Sequence, residues 1–259
     1  ALRSQNLNDE SRRLSILHQI KHPNRSRSQL DRIRSLTAEE DAAGATLAAY
    51  QMIETFSQNA SSLLELGDFA ATTSNLTLAR ALVRHFQQHD LPKKAIMHLL
   101  LIEALLNAGQ YEEVIDEVGH IQHSNPTDDQ IANTATGLAA IAHYGLEDTG
   151  SGAANLTRFM ARSQLRPESL LAIADRLAKM GKQEAAKATL SQAHQLSLKS
   201  QPILTKLLEL YLEDRDSTEI QARLQLLLSM RKPSPAILAD ALKWLSSDQF
   251  IFLSGRTAL

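Results

Sequence analysis

Along most of this chain apolar residues recur at intervals of three and four. They form segments of about 12 to 18 residues separated by short polar breaks, which is the spacing of helices in a packed hairpin array. Breaks fall at Gly67-Asp68, Asp90-Leu91-Pro92, Gly109-Gln110, Asn125-Pro126-Thr127, Gly145 to Gly152, Arg166-Pro167, Gly181-Lys182, Lys199 to Pro202, Asp214-Arg215-Asp216 and Lys232 to Pro235. Tight glycine or polar turns alternate with proline-bearing junctions. Stacked helical hairpins need that alternation, with one turn inside each pair and another between pairs. Nearer the start, His22 to Ser26 reads as a loop with a short helix on each side. Thr37, followed by Glu40, gives a capping-box start to a helical stretch running to about Leu66.

The spacing of the turns is itself a repeat. Gly109, Gly181 and Arg215 are separated by 72 and 34 residues, and the 72 accommodates one further, slightly expanded unit. Gly109-Gln110-Tyr111-Glu112-Glu113-Val114-Ile115 and Gly181-Lys182-Gln183-Glu184-Ala185-Ala186 occupy matched turns, with Pro126 seventeen residues after the first glycine. Ala174, Ala186, Leu190 and Ala193 supply small or apolar residues where paired helices approach closely. The next unit keeps Leu204, Leu207, Leu208, Tyr211, Ile220, Leu224 and Leu227 in corresponding places. This pattern resembles the tetratricopeptide repeat (TPR), a helix–turn–helix unit of about 34 residues. It departs from the family where His98 stands in place of the usual Trp, where Ile102 and Leu208 replace a small residue, and where Arg215 replaces the turn glycine.

The resemblance implies an all-α fold, a right-handed α-solenoid of stacked antiparallel hairpins. The organisation expected is a basic helical arm over 1–37, degenerate hairpins over 38–91 and TPR-like repeats over 92–247. Those repeats divide at about 92–126, 127–166, 167–200 and 201–234, with a half repeat over 235–247 and a tail over 248–259. The 127–166 unit is read as stretched by its Gly145 to Gly152 loop. The apolar helix around Trp244, followed by Phe250 to Leu253, predicts a natural chain that continues.

Composition narrows the class. Of 259 residues, 43% are hydrophobic but only 4% aromatic, and there are 10 glycines and 7 prolines. That is enough apolar mass for a core, without the aromatic and β-branched strands of sandwiches and barrels. Cysteine is absent, so disulfides, thiolate metal sites and cysteine nucleophiles are excluded. The compartment stays open between cytoplasm and periplasm. The longest mainly apolar run, Ala95 to Leu106, is too short for the roughly 20 residues of a membrane-spanning helix. No targeting segment is visible, and the chain opens at Ala1 as a trimmed sequence would.

Net charge is −2, but it is unevenly placed. Residues 1–35 hold eight Lys/Arg against three acidic residues. Arg12, Arg13, Arg25, Arg27, Arg32 and Arg34 form a basic arm that reads first as a solvated helical arm or linker, and second as a docking segment for an acidic partner. The interleaved aromatics of single-strand nucleic-acid binders are missing there, so nucleic acid is not the expected partner.

No local motif announces chemistry. Asp148-Thr149-Gly150 matches half of an aspartic-protease signature, yet it lies in a turn between helices, where Ser151 or Thr149 serves as a cap. His85 and His89 share a helix face without a third metal ligand, and His120 and His123 are similar. Phosphate loops, dinucleotide fingerprints and nucleophile elbows are absent. No catalytic residue, metal, cofactor or small-molecule substrate is expected.

In the TPR family ligands lie on the concave face lined by the first helix of each hairpin. Carried over, that face comprises Leu99, Glu103, Leu106 and Asn107, then Leu171, Asp175, Ala178 and Lys179, then Thr205, Glu209, Leu212 and Glu213. The lysine and asparagine clamp with which chaperone-type repeats hold a C-terminal carboxylate is absent from these positions. A mixed acidic and apolar face complements a basic and apolar peptide. The function expected is a non-enzymatic scaffold that binds a partner protein or peptide within a bacterial multiprotein assembly of the envelope or of polysaccharide secretion. The alternative is a regulatory or nucleic-acid-associated module using the basic arm.

Overall fold

The computed structural model describes residues 25–124, 129–162, 165–214 and 217–229, together with Ala239. Among them every regular element is an α-helix. In chain order these are α1 Ser26–Ala38, α2 Ala42–Thr55, α3 Ala60–Thr72, α4 Leu76–Gln88, α5 Lys94–Asn107, α6 Tyr111–Ser124, α7 Asp129–Gly145, α8 Thr149–Met160, α9 Pro167–Lys179, α10 Gln183–Leu196, α11 Gln201–Asp214 and α12 Ser217–Leu228. The chain divides inside α7 into two compact units, Ala1–Ala142 and His143–Leu259.

In the first unit α1 pairs with α2, α3 with α4 and α5 with α6. First helices also pack on first helices, α1 on α3 and α3 on α5, while α2 lies against α4. In the second unit α9 pairs with α10 and α11 with α12, and α10 packs on α8 and α11. Leu63, Leu82 and Ile102 in the first unit are fully buried, as are Leu190, Leu204 and Leu208 in the second. A lone hairpin would leave such residues half wet, so each pair depends on its neighbour for its core.

Five tight turns share one backbone device, which the α4–α5 junction at Asp90 also uses. Glu40, Ser74, Gly109, Glu147 and Gly181 all take positive φ, at 61°, 55°, 73°, 61° and 73°. They recur at intervals of 34, 35, 38 and 34 residues. At each, the next residue's N–H donates five residues back, as Asn75 N does to Ala70 O and Lys182 N to Leu177 O, at 2.8 and 2.9 Å. The positive-φ residue donates three back, as Gly109 N does to Leu106 O at 3.1 Å. This Schellman arrangement satisfies the last carbonyls of the first helix and reverses the chain.

Three of the five left-handed residues are not glycine, a conformation costing an ordinary residue about 1–2 kcal/mol. At those three turns the following side chain caps the second helix. Asp41 Oδ1 accepts from Gly44 N at 2.9 Å, and Asn75 and Asp148 accept from Leu78 N and Ser151 N at 3.1 Å. Such a cap contributes about 1 kcal/mol, which offsets much of the strain. Lys182, after Gly181, makes no side-chain cap.

The turns place Gly67 differently from its expected role as a break. It lies inside α3, seven residues before Ser74, in register with Ile33, Ile102, Ala140 and Ala174, all of them buried. A Cβ on Gly67 would meet Met97 Cε at 2.9 Å and Leu100 Cδ1 at 3.0 Å. It is small because α5 crosses there, and the actual turn follows at Thr73-Ser74-Asn75.

Other expectations shift for equally local reasons. Thr37 does not open a helix; it sits in the last turn of α1, its hydroxyl donating to Ile33 O at 2.9 Å. The stretch expected to reach Leu66 is broken at Phe56 to Asn59, where the Asn59 side chain caps α3 through Ser62 N. The Gly145 to Gly152 loop contracts to three residues, because Asp148 caps and Thr149 to Gly152 form the first turn of α8. The extra length of that repeat lies in α7, which has 17 residues. Residues 26–37, expected within the basic arm, belong to α1, whose Leu30 and Ile33 are 3% and 1% exposed.

Candidate interaction surface

In the second unit, α9 and α11 present side chains from the expected face in direct contact. Asp175 accepts from Lys179 Nζ at 2.6 Å within α9 and from Lys206 Nζ at 3.3 Å across to α11. Lys206 also reaches Glu209 Oε2 at 2.9 Å. Asp175, Lys179 and Glu209 thus meet in one alternating chain of charge, and Lys206 joins them. The bonded ammonium of Lys179 holds the Asp175 carboxyl below its usual range, with Lys206 adding to this against partial desolvation. The hydrogen bond to Glu209, against desolvation and with help from Asp175, raises the Lys206 ammonium above its usual value.

The other expected residues of this unit are placed separately. Glu213 accepts from Gln183 Nε2 of α10 at 2.6 Å, at the hairpin edge rather than in the charge chain. Leu171, Thr205, Ala178 and Leu212 are partly exposed beside it. Lys187 pairs with both Glu184 and Asp214, and Lys182 Nζ meets Glu147 Oε2 at 2.6 Å. These contacts tie turns and helix ends of successive hairpins to each other.

In the first unit the corresponding face lies on α3 and α5. Leu99 and Glu103 are half-buried there. Leu106 is 7% exposed and belongs to the core, which corrects its expected place on a binding surface. Asn107 is committed to α3, its amide donating to Ala71 O at 2.9 Å. Leu64 and Asp68 of α3 share the register of Leu99 and Glu103. Asp68 is exposed and has no partner among the described residues.

No protein-family model matches the chain, and no curated protein matches its sequence. Among solved structures it is similar to YrrB, described as a TPR protein with an unusual peptide-binding site, at 13% identity and a TM-score of 0.42. That match spans 76% of this chain and 98% of the other. At so loose a likeness, what defines this fold is the chain's own pairing of helices about five repeated turns. Each unit is an all-α array of packed helical hairpins.

Histidines that suggested metal have protein partners. His85 Nε2 lies 2.9 Å from Ser57 O and its ring stacks at 4.3 Å on His89, while His123 Nδ1 lies 2.6 Å from Gly119 O. His98, at the position of the family's Trp, bonds Glu117 between α5 and α6, and His120 Nδ1 stands 3.6 Å from the same carboxylate. Asp148 accepts from Ser151 and stands 3.2 Å from His143, as a cap rather than half of a carboxylate pair. Among the described residues no cluster of three ligating side chains could hold a metal, and no helix is long and apolar enough to cross a membrane.

Of the basic arm, Arg12 and Arg13 lie outside the described residues. Arg25, Arg27, Arg32 and Arg34 are exposed on or beside α1, and Arg34 reaches Asp31 at 3.5 Å. Three residues escaped the sequence reading: Leu64, Asp68 and Lys206. The signal for the first two was Asn75, a capping residue 34 after Asp41, which marks the turn that Gly67 obscured. Lys206 was visible as a cation three residues before Glu209, on the expected face.

Proposed function

We propose that the chain is a non-enzymatic scaffold that takes a partner protein or peptide along the face formed by the first helices of its hairpins. The observation that carries this is the alternation, on that face, of leucine with a carboxylate four residues later. The pattern occurs at Leu64 and Asp68 and at Leu99 and Glu103 in the first unit, and at Leu171 and Asp175 in the second, where Thr205 and Glu209 follow it. Core packing accounts for the buried stripes of these helices but not for a polar–apolar row kept at the water boundary. Such a row suits a segment whose apolar residues and cations alternate.

The setting we infer, a bacterial multiprotein assembly of the envelope or of polysaccharide secretion, rests on the resemblance to TPR proteins alone. Crosslinking in cells with photoreactive groups at Leu64 and Leu99, against the same group at Glu112 on α6, tests the face. Partner adducts from the first two positions and none from the third are expected. Equal labelling at all three would sink this reading.

A further inference from the structure

The α3–α5 and α9–α11 faces share one register, so each position on one has a counterpart on the other. Asp175 corresponds to Asp68 and Glu209 to Glu103. Lys179 corresponds to Thr72, and Lys206 to Leu100. On the second unit Asp175 meets two ammonium groups of its own chain, at 2.6 Å from Lys179 and 3.3 Å from Lys206. On the first unit neither counterpart carries charge. Thr72 donates its hydroxyl back to Phe69 O at 3.0 Å, and Leu100 packs over Gly67, beside Asp68. The apolar residue therefore stands where a cation closes the other face, and the Asp68 carboxylate has no partner among the described residues.

We infer that the α3–α5 face takes a lysine or arginine of an extended partner peptide, and that Lys206 is the built-in counterpart filling the same position on α9–α11. This rests on the scaffold reading above. The incoming aliphatic stem lies along Leu64, Leu99 and Leu100, and its charged head reaches Asp68 beside Glu103. Lys206 shows how such a head is held on this register, between the carboxylate of one first helix and that of the next. The second face is consequently occupied from within, and the first is the one open to a basic partner.

Fluorescence anisotropy on the full chain tests this, using a labelled nonapeptide of alternating lysine and leucine. Control peptides carry norleucine or glutamate in place of lysine. The lysine peptide should bind, and each control should bind about tenfold or more weakly, as expected for loss of a close charge pair. Asp68→Asn should weaken the lysine peptide by about tenfold and make its binding less salt-dependent. Leu100→Lys, which installs the internal cation, should do the same, and Lys206→Leu should raise the stoichiometry from one peptide per chain to two. Thermal melting of each variant reports its folding, and Asp68→Asn decides alone if Leu100→Lys does not fold. Binding of the lysine peptide untouched by Asp68→Asn overturns the inference while leaving the scaffold reading in place. No second site in a folded Lys206→Leu chain overturns the role of Lys206. Failure of all three peptides to bind overturns both readings.

Discussion

The α3–α5 and α9–α11 pairs are the same design at two stages of closure. Both keep a buried residue seven positions before the turn on each first helix, Gly67 and Ile102 in one, Ala174 and Leu208 in the other. Both carry a carboxylate one position further on. Glycine lets α5 come close enough for Met97 and Leu100 to sit directly over α3. With alanine at the same place, α9 meets α11 through a longer reach, the ammonium of Lys206 to Asp175. The contact described between first helices is thus a packed crossing at Gly67 in one unit and the Lys206–Asp175 ion pair in the other. Packing is insensitive to salt and to pH. A partly exposed ion pair contributes only about 0–1 kcal/mol and is screened by salt.

The sharpest way to break the comparison is through the crossing residues. Leu208→Ala empties a fully buried position in the cluster of Leu204, Ile220, Leu224 and Leu227, and should cost about 3 kcal/mol in urea unfolding. Gly67→Val overpacks the tighter crossing and should cost about 2 kcal/mol. Ala174→Val, at the looser one, should cost less. An equal cost for the two valines would show that the crossings are alike.

Turns give the next effect. Gly181→Ala forces an ordinary residue into φ 73° and should destabilise by about 1 kcal/mol. Glu147→Gly relieves the same strain and should stabilise by a few tenths to about 1 kcal/mol, less whatever the Lys182 ion pair contributed. Matched thermal melts distinguish the two signs.

A smaller effect belongs to the second unit and to pH. His194 is 8% exposed and its Nδ1 has no hydrogen-bond partner among the described residues. Burial pushes its imidazole below the usual range, and the charge of Arg223 adds to this. The folded chain keeps His194 neutral while the unfolded chain protonates it. Stability therefore falls as pH drops through about 6.5, where the unfolded state binds the extra proton. His194→Gln should flatten that limb of the stability–pH curve. The smallest change expected is Asp175→Asn. It removes an interaction present above the ordinary carboxylate range and lost as pH falls through the depressed folded value, and should cost about half a kcal/mol or less at pH 7.

The sequence made the helices and the alternation of their breaks legible, because apolar periodicity survives divergence wherever a core must be filled. It misled where one residue type serves two needs. Glycine marks a left-handed turn at Gly109 and Gly181, but at Gly67 it marks a close helix crossing, and composition does not separate those uses. Turns at Glu40 and Ser74 lack glycine and were hidden for that reason, although Asp41 and Asn75 follow them as caps, while the turn at Glu147 lay within the expected Gly145 to Gly152 break. The face residues Asp175, Lys179 and Glu209 followed from register. Leu106 did not, since register fixes a direction and burial depends on what the neighbouring helix places there.

Within the second unit, two joints of identical backbone geometry differ in their response to acid. The joint at Gly181 has no side-chain cap, so acid removes no capping bond from the start of α10. The joint at Glu147 depends on the ionised side chain of Asp148, whose bonds to Ser151 hold its carboxyl below the usual value. Once that carboxyl takes up a proton, the left-handed residue before it loses its compensation. Acid should then open the chain in a set order, with α8 parting from its turn before α10 does from its own.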